Sequence, residues 1–403
     1  MWCDIIPLWD AHLAREKDRP LLNQLPLLYN LTLPELITLL ESWDEPPYRA
    51  AQIWQGLYQH FWNSPDQFTN LPILLRSKLV ENLRFDALTP ITVLESSDGQ
   101  TRKTLFELHD GQAIEAVLMR YGDPASSGVE RSRDAASTTG LRSAQRGRKQ
   151  GRRTLCISTQ VGCAMGCVFC ATGQMGFRRQ LSRGEIVAQV MHYARQLTEQ
   201  GESVTNVVVM GMGEPFHNYD NTMAAIDRLN NPQGYNFGAR RFTISTVGLV
   251  PAIRRFTEER RQVNLAISLH AADDALRSSL LPVNNKYPID EILAACREYI
   301  SATGRRVSFE WALIRDINDT PEQARMLATK LRGRFGDAQH RLLCHVNIIP
   351  LNPTQGYSGQ PTTRQRAEKF REILEQAGVA CTIRLRRGIE IQAGCGQLVG
   401  DRD

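Results

Sequence analysis

The chain has 403 residues, of which 42% are hydrophobic and 23% charged, and its formal net charge is +5. This composition is ordinary for a globular protein, and the length allows a large domain plus a smaller one. No run approaches the 18 apolar residues of a membrane span, and the first residues lack the basic start of a signal peptide. We therefore expect a cytoplasmic protein with no membrane association, whose nine cysteines are thiols, metal ligands or catalysts.

Residues 1–92 are predicted to form a helical accessory domain. Apolar residues recur every three or four positions in segments 33–40 and 49–58, which is the spacing of an amphipathic helix. A third helix is predicted from Pro72 to Leu83, with the proline in its first turn.

Residues 93–122 are predicted to form a small β connector. Apolar and polar residues alternate there over short stretches, and turns are indicated by Asp98-Gly99 and Asp110-Gly111.

Segment 123–153 is a basic insertion that we expect to be flexible. It has eight basic and three acidic side chains, which accounts for the whole net charge of the protein. Such an arm beside a catalytic centre could hold RNA phosphates. The alternative is a solvated insertion with no specific partner.

Residues 154–403 alternate between strand and helix patterns, which predicts an α/β fold with a parallel sheet that is open or curled into a partial barrel. One helix is marked by a capping box from Ser182 to Glu185, and another begins at Thr320-Pro321. In such folds ligands bind at the carboxyl ends of the strands. The candidate strands are Thr154–Thr159, Val204–Met210, Arg241–Thr246, Val263–Leu269, Val307–Leu313, Val346–Ile349 and Thr382–Arg386.

Cys163, Cys167 and Cys170 follow the first of these strands with the spacing CxxxCxxC. Three thiolates can ligate three irons of a [4Fe–4S] cluster and leave the fourth iron open, as radical S-adenosylmethionine (SAM) chemistry requires. The alternative is a structural zinc site, which usually has four protein ligands in paired CxxC or CxxC/HxxxH halves. Neither a second CxxC nor an HxxxH follows, so the spacing favours the cluster.

A glycine-rich turn, Gly211-Met212-Gly213-Glu214-Pro215, follows the second candidate strand. Gly213 would let the backbone approach a ligand closely, and Glu214 could accept a hydrogen bond from the ammonium group of SAM. An ordinary strand-to-helix turn is the alternative.

The C-terminal segment Gly394-Cys395-Gly396-Gln397-Leu398 and Cys156 complete a set of motifs that resembles the radical-SAM RNA adenine methyltransferases. The resemblance is to the dual-specificity branch, which modifies C2 of adenine in 23S ribosomal RNA and tRNA, and it covers nearly the whole chain. It departs at Glu390 and Gly394, where the family usually has Asp and Ala. Matching segments also include Ser245-Thr246, Ser268-Leu269-His270-Ala271, Leu281–Tyr287 and Asn347–Pro350.

The resemblance implies a partial (β/α)6 radical-SAM barrel and a reaction that uses two SAM molecules. Cys395 takes a methyl group from one SAM, and the cluster reduces the other to a 5′-deoxyadenosyl radical. That radical removes hydrogen from the methylated Cys395, whose carbon radical adds to the base. Glu115 then accepts a proton, and Cys156 releases the product by forming a disulfide with Cys395.

The resemblance also identifies SAM-contacting positions, although individual residues have simpler interpretations. Glu115 could be a solvent-facing strand residue, since Ile114 and Ala116 would share the opposite face. His270 could be a hydrogen-bonded structural histidine. The SAM-contacting positions are Gly213, Glu214, Ser245, Ser268, Leu269, His270 and Asn347.

The resemblance implies that the partners are 23S rRNA, tRNA and an electron donor such as flavodoxin or ferredoxin. It also implies that the protein is a monomer. Several arginines near the motifs could contact phosphate or form surface salt bridges. The alternatives left open are the C8-directed resistance branch, a radical-SAM enzyme with a peptide or small-molecule substrate, and a zinc-bearing RNA-binding protein. The arginines near the motifs that could contact phosphate or form surface salt bridges are Arg178, Arg179, Arg384, Arg386 and Arg387.

Overall fold

The computed structural model describes residues 25–122, 151–332 and 342–400. Most of the predicted basic insertion, residues 123–150, lies outside the described residues.

Strands and helices alternate through most of the described chain. The strands are β1 Thr89–Glu95, β2 Thr101–Glu107, β3 Ala113–Tyr121, β4 Arg152–Cys156, β5 Gln160–Gly162, β6 Phe177–Gln180, β7 Asn206–Val209, β8 Phe242–Thr246, β9 Asn264–Ser268, β10 Val307–Leu313, β11 Cys344–Pro350 and β12 Cys381–Ile383. The α-helices are α1 Leu33–Glu41, α2 Tyr48–Tyr58, α3 Ile73–Asn82, α4 Ala171–Gln174, α5 Arg183–Glu199, α6 Tyr219–Asn230, α7 Val250–Glu258, α8 Asp274–Leu280, α9 Ile289–Thr303, α10 Pro321–Arg332 and α11 Arg364–Gln376.

Ten strands form one sheet in the order β1-β2-β3-β4-β7-β8-β9-β10-β11-β12. From β4 onward all neighbours are parallel, as the strand–helix alternation predicts. Strands β1 to β4 pair antiparallel, so the strands of the predicted connector extend the same sheet. Strand β1 begins at Thr89, so the end of the predicted helical domain, residues 89–92, belongs to the sheet instead. Strand β4 begins at Arg152, so the last two residues assigned to the insertion belong to the sheet.

The two faces of the parallel sheet differ in chemistry. In β10, Phe309 and Trp311 point towards the helices, and Trp311 packs against Phe370 of α11 with ring centroids 5.5 Å apart. Glu310 lies between them in sequence and therefore points to the opposite face. The register aligns Glu310 with Ser268 on β9 and Asn347 on β11. The face without these helix contacts is therefore polar, and we call it the cleft face.

The N-terminal helices pack against the barrel through a buried cation. Arg228 of α6 lies over the ring of Trp54 at 4.6 Å and donates a hydrogen bond to the hydroxyl of Tyr58 at 3.1 Å. Both aromatic residues belong to α2, so this contact fixes the helical segment on the sheet domain. In the parts of the chain that the structure describes, no helix is both long and apolar enough to cross a bilayer.

A two-stranded hairpin that the sequence patterns did not predict, β5–β6, frames the cysteine loop. Gly162 ends β5 in the left-handed region with a φ of 71°, and the N–H of Cys163 donates to the carbonyl of Gly176 at 2.9 Å. A Cβ on Gly162 would lie 1.8 Å from that carbonyl oxygen. Only glycine fits there, so the hairpin constrains the first of the three cysteines.

The hairpin offers a matched pair of glycine substitutions. Gly176 also has a positive φ, of 73°, but a Cβ there would meet nothing within 4 Å. We expect Gly176→Ala to cost about 1–2 kcal/mol of unfolding free energy, for handedness alone. Gly162→Ala should cost roughly 2 kcal/mol more, because it adds the backbone clash. Urea denaturation measures the free energy of unfolding of both variants. Equal losses would contradict the conclusion that only glycine fits at position 162.

Candidate active site

The three cysteines of the motif lie on the loop between β5 and β6, with Cys167 buried and the other two half-buried. Burial raises the pKa of Cys163 to about 12, and it also raises the pKa values of Cys167 and Cys170. Without a cation these thiols therefore stay protonated. A bound metal centre would supply the positive charge that ionises them.

Arg277 of α8 is a buried cation whose charge acts on this loop. Its side chain has no solvent exposure, and four of its hydrogen bonds go to main-chain carbonyls. The fifth goes to the amide oxygen of Asn284 at 2.8 Å. Burial lowers the pKa of Arg277 to about 10, and its positive charge lowers the pKa of Cys167 against the larger effect of burial. No carboxylate accepts any of these bonds, so the charge is available to the cysteine loop.

The donor set of the loop between β5 and β6 is three thiols, the ligand type that iron–sulfur clusters take, with no fourth cysteine in that loop. Among the described residues, no three His, Cys, Asp or Glu side chains converge closely enough to hold one metal ion. Cluster ligands each bind a different iron and need not converge on one point. The loop also approaches itself closely, because a Cβ on Gly173 would lie 2.9 Å from the carbonyl oxygen of Cys167. The donor set therefore fits a [4Fe–4S] cluster.

The glycine-rich turn after β7 packs against the cysteine hairpin. Gly213 has a φ of 101°, and a Cβ there would lie 2.5 Å from the side chain of Gln160. The carboxylate of Glu214 is buried and accepts from the N–H groups of Phe216 and Val247 at 3.0 and 2.9 Å. Burial raises the pKa of Glu214 to about 7. The side chain of Thr246 is a third hydrogen-bond partner. The two oxygens of a carboxylate have about four lone-pair sites, so Glu214 can still accept from an ammonium group.

Three of the predicted SAM positions adjoin one another on the cleft face. The hydroxyls of Ser245 and Ser268 are 3.2 Å apart, and Asn347 donates to the carboxylate of Glu310 at 2.7 Å. Glu310, which the sequence analysis did not single out, is buried beside them. Burial raises its pKa, and the bond from Asn347 opposes that rise.

His270 and Leu269 have structural contacts of their own. The Nδ1 of His270 accepts from the N–H of Ala312 at 2.9 Å, and burial lowers the pKa of His270 to about 3. The ring is therefore neutral with its proton on Nε2. His270 is a hydrogen-bonded histidine in this structure, and this bond leaves its Nε2 side able to contact a ligand. The side chain of Leu269 is fully buried in the core, so only its main chain could contact a ligand.

The C-terminal segment 394–400 crosses from the cysteine loop to β3, and we call it the tail. The carbonyl of Gly396 accepts from the N–H of Ala171 at 2.7 Å, and that of Leu398 accepts from the Thr172 hydroxyl at 2.6 Å. At the other end, the N–H of Val399 donates to the carboxylate of Glu115 at 2.8 Å. These bonds anchor the segment directly after Cys395, which is exposed, to the cluster loop and to the sheet.

Cys156 and Glu115 lie on the same sheet face as each other. Cys156 is aligned with Val117, two residues from Glu115 along β3. Burial raises the pKa of the Cys156 thiol, and a negative charge on Cys395 raises it further, so the two thiols are close enough for their charges to interact. Both are free thiols in this structure. Glu115 is buried and forms an ion pair with Lys103 at 2.7 Å, so its interpretation as a solvent-facing residue is wrong.

The basic residues near the motifs differ in their contacts. Arg179 is paired with Asp110 at 2.6 Å and with Glu185 at 2.9 Å, as its salt-bridge interpretation predicts. Arg387 lies over the ring of Tyr121 at 4.7 Å. The side chains of Arg178, Arg384 and Arg386 are exposed.

The two departures from the family pattern both contact neighbouring elements. Glu390 accepts from the N–H of Ser97 at 3.2 Å, in the turn between β1 and β2. A Cβ on Gly394 would lie 2.5 Å from the amide nitrogen of Asn352, which donates to the carbonyl of Cys395 at 3.1 Å. The glycine therefore makes room for a bond that holds the tail.

Sequence reasoning missed Lys103, Arg277 and Glu310. The one available signal was a charged residue between two apolar ones: Glu310 stands between Phe309 and Trp311, whereas Arg277 is followed by Ser278 and Ser279 and gave no such signal. Lys103 gave no such signal, because polar residues precede and follow it.

Comparison with known proteins places these features in a family. Residues 157–328 match the Radical SAM superfamily, and residues 27–84 match the Ribosomal RNA large subunit methyltransferase N-terminal domain. A probable dual-specificity RNA methyltransferase RlmN of Chloroflexus aurantiacus is 47% identical, over 93% of this chain and 92% of its own. The dual-specificity RNA methyltransferase RlmN 1 of Myxococcus xanthus is 46% identical, over 92% and 93%.

A solved structure shares the fold. The crystal structure of a radical SAM methyltransferase from Sphaerobacter thermophilus has a TM-score of 0.83 and 46% identity, covering 93% of this chain and 100% of that one. The predicted α/β radical-SAM fold is confirmed.

The cysteine loop predicts which thiols hold iron. After anaerobic reconstitution the protein should be brown and absorb broadly near roughly 400 nm. Alanine at Cys163, Cys167 or Cys170 should abolish this absorption and the bound iron. Cys381→Ala, at the start of β12, should retain both. Iron retained by all three loop variants, or zinc in place of iron, would contradict the assignment.

Arg277 predicts a stability effect that is independent of iron. Replacing it with Met leaves several buried carbonyls without a donor, so we expect a loss of roughly 3 kcal/mol or more in unfolding free energy. Urea denaturation of the iron-free protein measures it. The matched control is Arg254→Met, which removes only an exposed ion pair with Glu298 and should change little. If Arg277→Met lost no more unfolding free energy than Arg254→Met, the buried hydrogen bonds of Arg277 would contribute nothing to stability.

Proposed function

This chain belongs to the RlmN family of dual-specificity RNA methyltransferases, and we propose that it methylates C2 of a specific adenine in 23S ribosomal RNA and in tRNA. The observation that carries the proposal is the meeting of Cys395, Cys156 and Glu115 at one face of the sheet beside the cluster loop. A generic radical-SAM enzyme does not require two thiols, such as those of Cys156 and Cys395, in addition to its cluster ligands.

Direct methyl transfer to this carbon is chemically unfavourable. The C2 of adenine is an electron-poor amidine carbon and does not attack the sulfonium methyl of SAM. A [4Fe–4S] cluster held by Cys163, Cys167 and Cys170 would supply, together with SAM, the methyl group and the one-electron chemistry that this carbon requires. The rest of the reaction falls to side chains of this chain.

We assign one role to each of three side chains. Cys395 carries the methyl group on its sulfur and becomes bonded to the base through that carbon. Glu115 accepts the proton that leaves C2. Cys156 attacks the Cys395 sulfur, so a disulfide forms as the carbon–sulfur bond breaks; the electron pair of that bond stays on the methylene carbon, which takes up a proton and becomes the new methyl group. The one electron in excess after the radical addition would be accepted by the one-electron chemistry that the cluster supplies, and an external thiol reductant restores both thiols.

The partners we propose follow from this chemistry. The target adenine must leave its stack to reach the cleft face, so the RNA has to be remodelled on binding. The exposed Arg384, whose charge acts on Cys395, and the exposed Arg386 would meet phosphate groups. A flavodoxin or ferredoxin would supply electrons, and the enzyme would act as a monomer in the cytoplasm.

The test is anaerobic incubation of the reconstituted enzyme with SAM, a reductant and protein-free 23S RNA, followed by mass spectrometry of the nucleosides. We expect 2-methyladenosine from the wild type and from Cys381→Ala. Cys395→Ala should give none, and Cys156→Ala should accumulate a covalent RNA–protein adduct. A product of 8-methyladenosine would assign the enzyme to the C8-directed branch. SAM cleavage without methylated adenosine would mean a different substrate.

A further inference from the structure

The carboxylate of Glu115 is held from two sides by groups with no assigned role. One oxygen pairs with the Lys103 ammonium at 2.7 Å, and the other accepts the N–H of Val399 at 2.8 Å. The side chains of Lys103 and Glu115 are only 8% and 5% exposed. Both oxygens therefore have fixed directions, and rotation of the carboxylate would break one of these contacts.

The sheet register determines this arrangement. Lys103 of β2 and Cys156 of β4 are both aligned with Val117 of β3, one from each side. Because side chains of aligned residues share a face, Lys103, Glu115 and Cys156 all lie on the cleft face. The ammonium is thus built into the same surface as the two groups that act after the base is bound.

We propose that Lys103 is a positioning residue for Glu115, an inference that rests on the proposed function. The ammonium pairs with one oxygen of the buried carboxylate and so turns the other oxygen towards the tail, at Val399, four residues from Cys395. A base bonded to Cys395 would then find the proton acceptor in place. Lys103 itself need not touch the RNA.

The experiment separates the step that uses Glu115 from the step before it. The reconstituted holoenzyme is incubated with SAM, reductant and 23S RNA. Three products are then followed: methyl on Cys395 by protein mass spectrometry, RNA–protein adduct on denaturing gels, and free 2-methyladenosine. We expect Glu115→Gln and Lys103→Met to acquire the methyl group normally and to accumulate adduct. Release of product from the adduct should slow about ten- to a hundredfold in Lys103→Met, the scale expected for a misplaced catalytic group.

Controls separate positioning from folding. Lys103→Arg retains a cation and should restore release, and Arg102→Met alters the adjacent residue of β2, on the opposite face, and should behave as wild type. The double variant Lys103→Met/Glu115→Gln has no unpaired buried charge and should still accumulate adduct. Normal release in Lys103→Met overturns the inference, as does an equal loss of Cys395 methylation, which would mean a structural role. If the wild type forms neither adduct nor methylated adenosine, the proposed function fails, and the inference fails with it.

Discussion

The site depends on the hydrogen bonds that hold the tail across the cleft face. A terminal segment of a few residues has no core of its own, and ordering each residue costs roughly 1–2 kcal/mol of conformational entropy. The main chain of the tail offsets this cost through partners on the cysteine loop at Ala171 and Thr172 and on β3 at Glu115. Cys395 has a defined place because these bonds anchor the residues directly after it and because its own carbonyl accepts from the amide of Asn352.

Desolvation is the second constraint on the site, and it acts in opposite directions on neighbouring groups. Burial makes the cysteine thiols harder to ionise, while the positive charge of Arg277 favours the thiolate of Cys167. Burial also holds His270 neutral and raises the pKa of Glu214 to about 7. A cationic ligand or metal centre bound here would meet groups whose charge states respond to it. This responsiveness is what a site for a charged cofactor requires.

The sequence predicted the features whose signals are local. The parallel strands, the capping box at Ser182 and the cysteine triad each depend on residues close together in the chain, and each is present. The solvent-facing alternative for Glu115 was wrong because strict alternation assumes that one face of a strand is solvated. Here the first six residues of β3 are all buried, since the tail docks onto it from a position almost 300 residues later. Lys103, Arg277 and Glu310 were missed for the same reason, because their importance lies in contacts between separate elements.

The ion pair between Lys103 and Glu115 is difficult to explain by stability alone. Removing two charges from water costs several kcal/mol for each ion, and apolar residues of similar size often stabilise such a position equally well or better. β2 and β3 already bury Phe106, Ile114 and Val117 in the core, so the sheet does not need the pair in order to form. What the pair adds is a carboxylate with a fixed orientation at the surface where the tail carries its cysteine. An apolar pair could hold the strands together but could not accept a proton, and this difference accounts for charged residues at two otherwise ordinary strand positions.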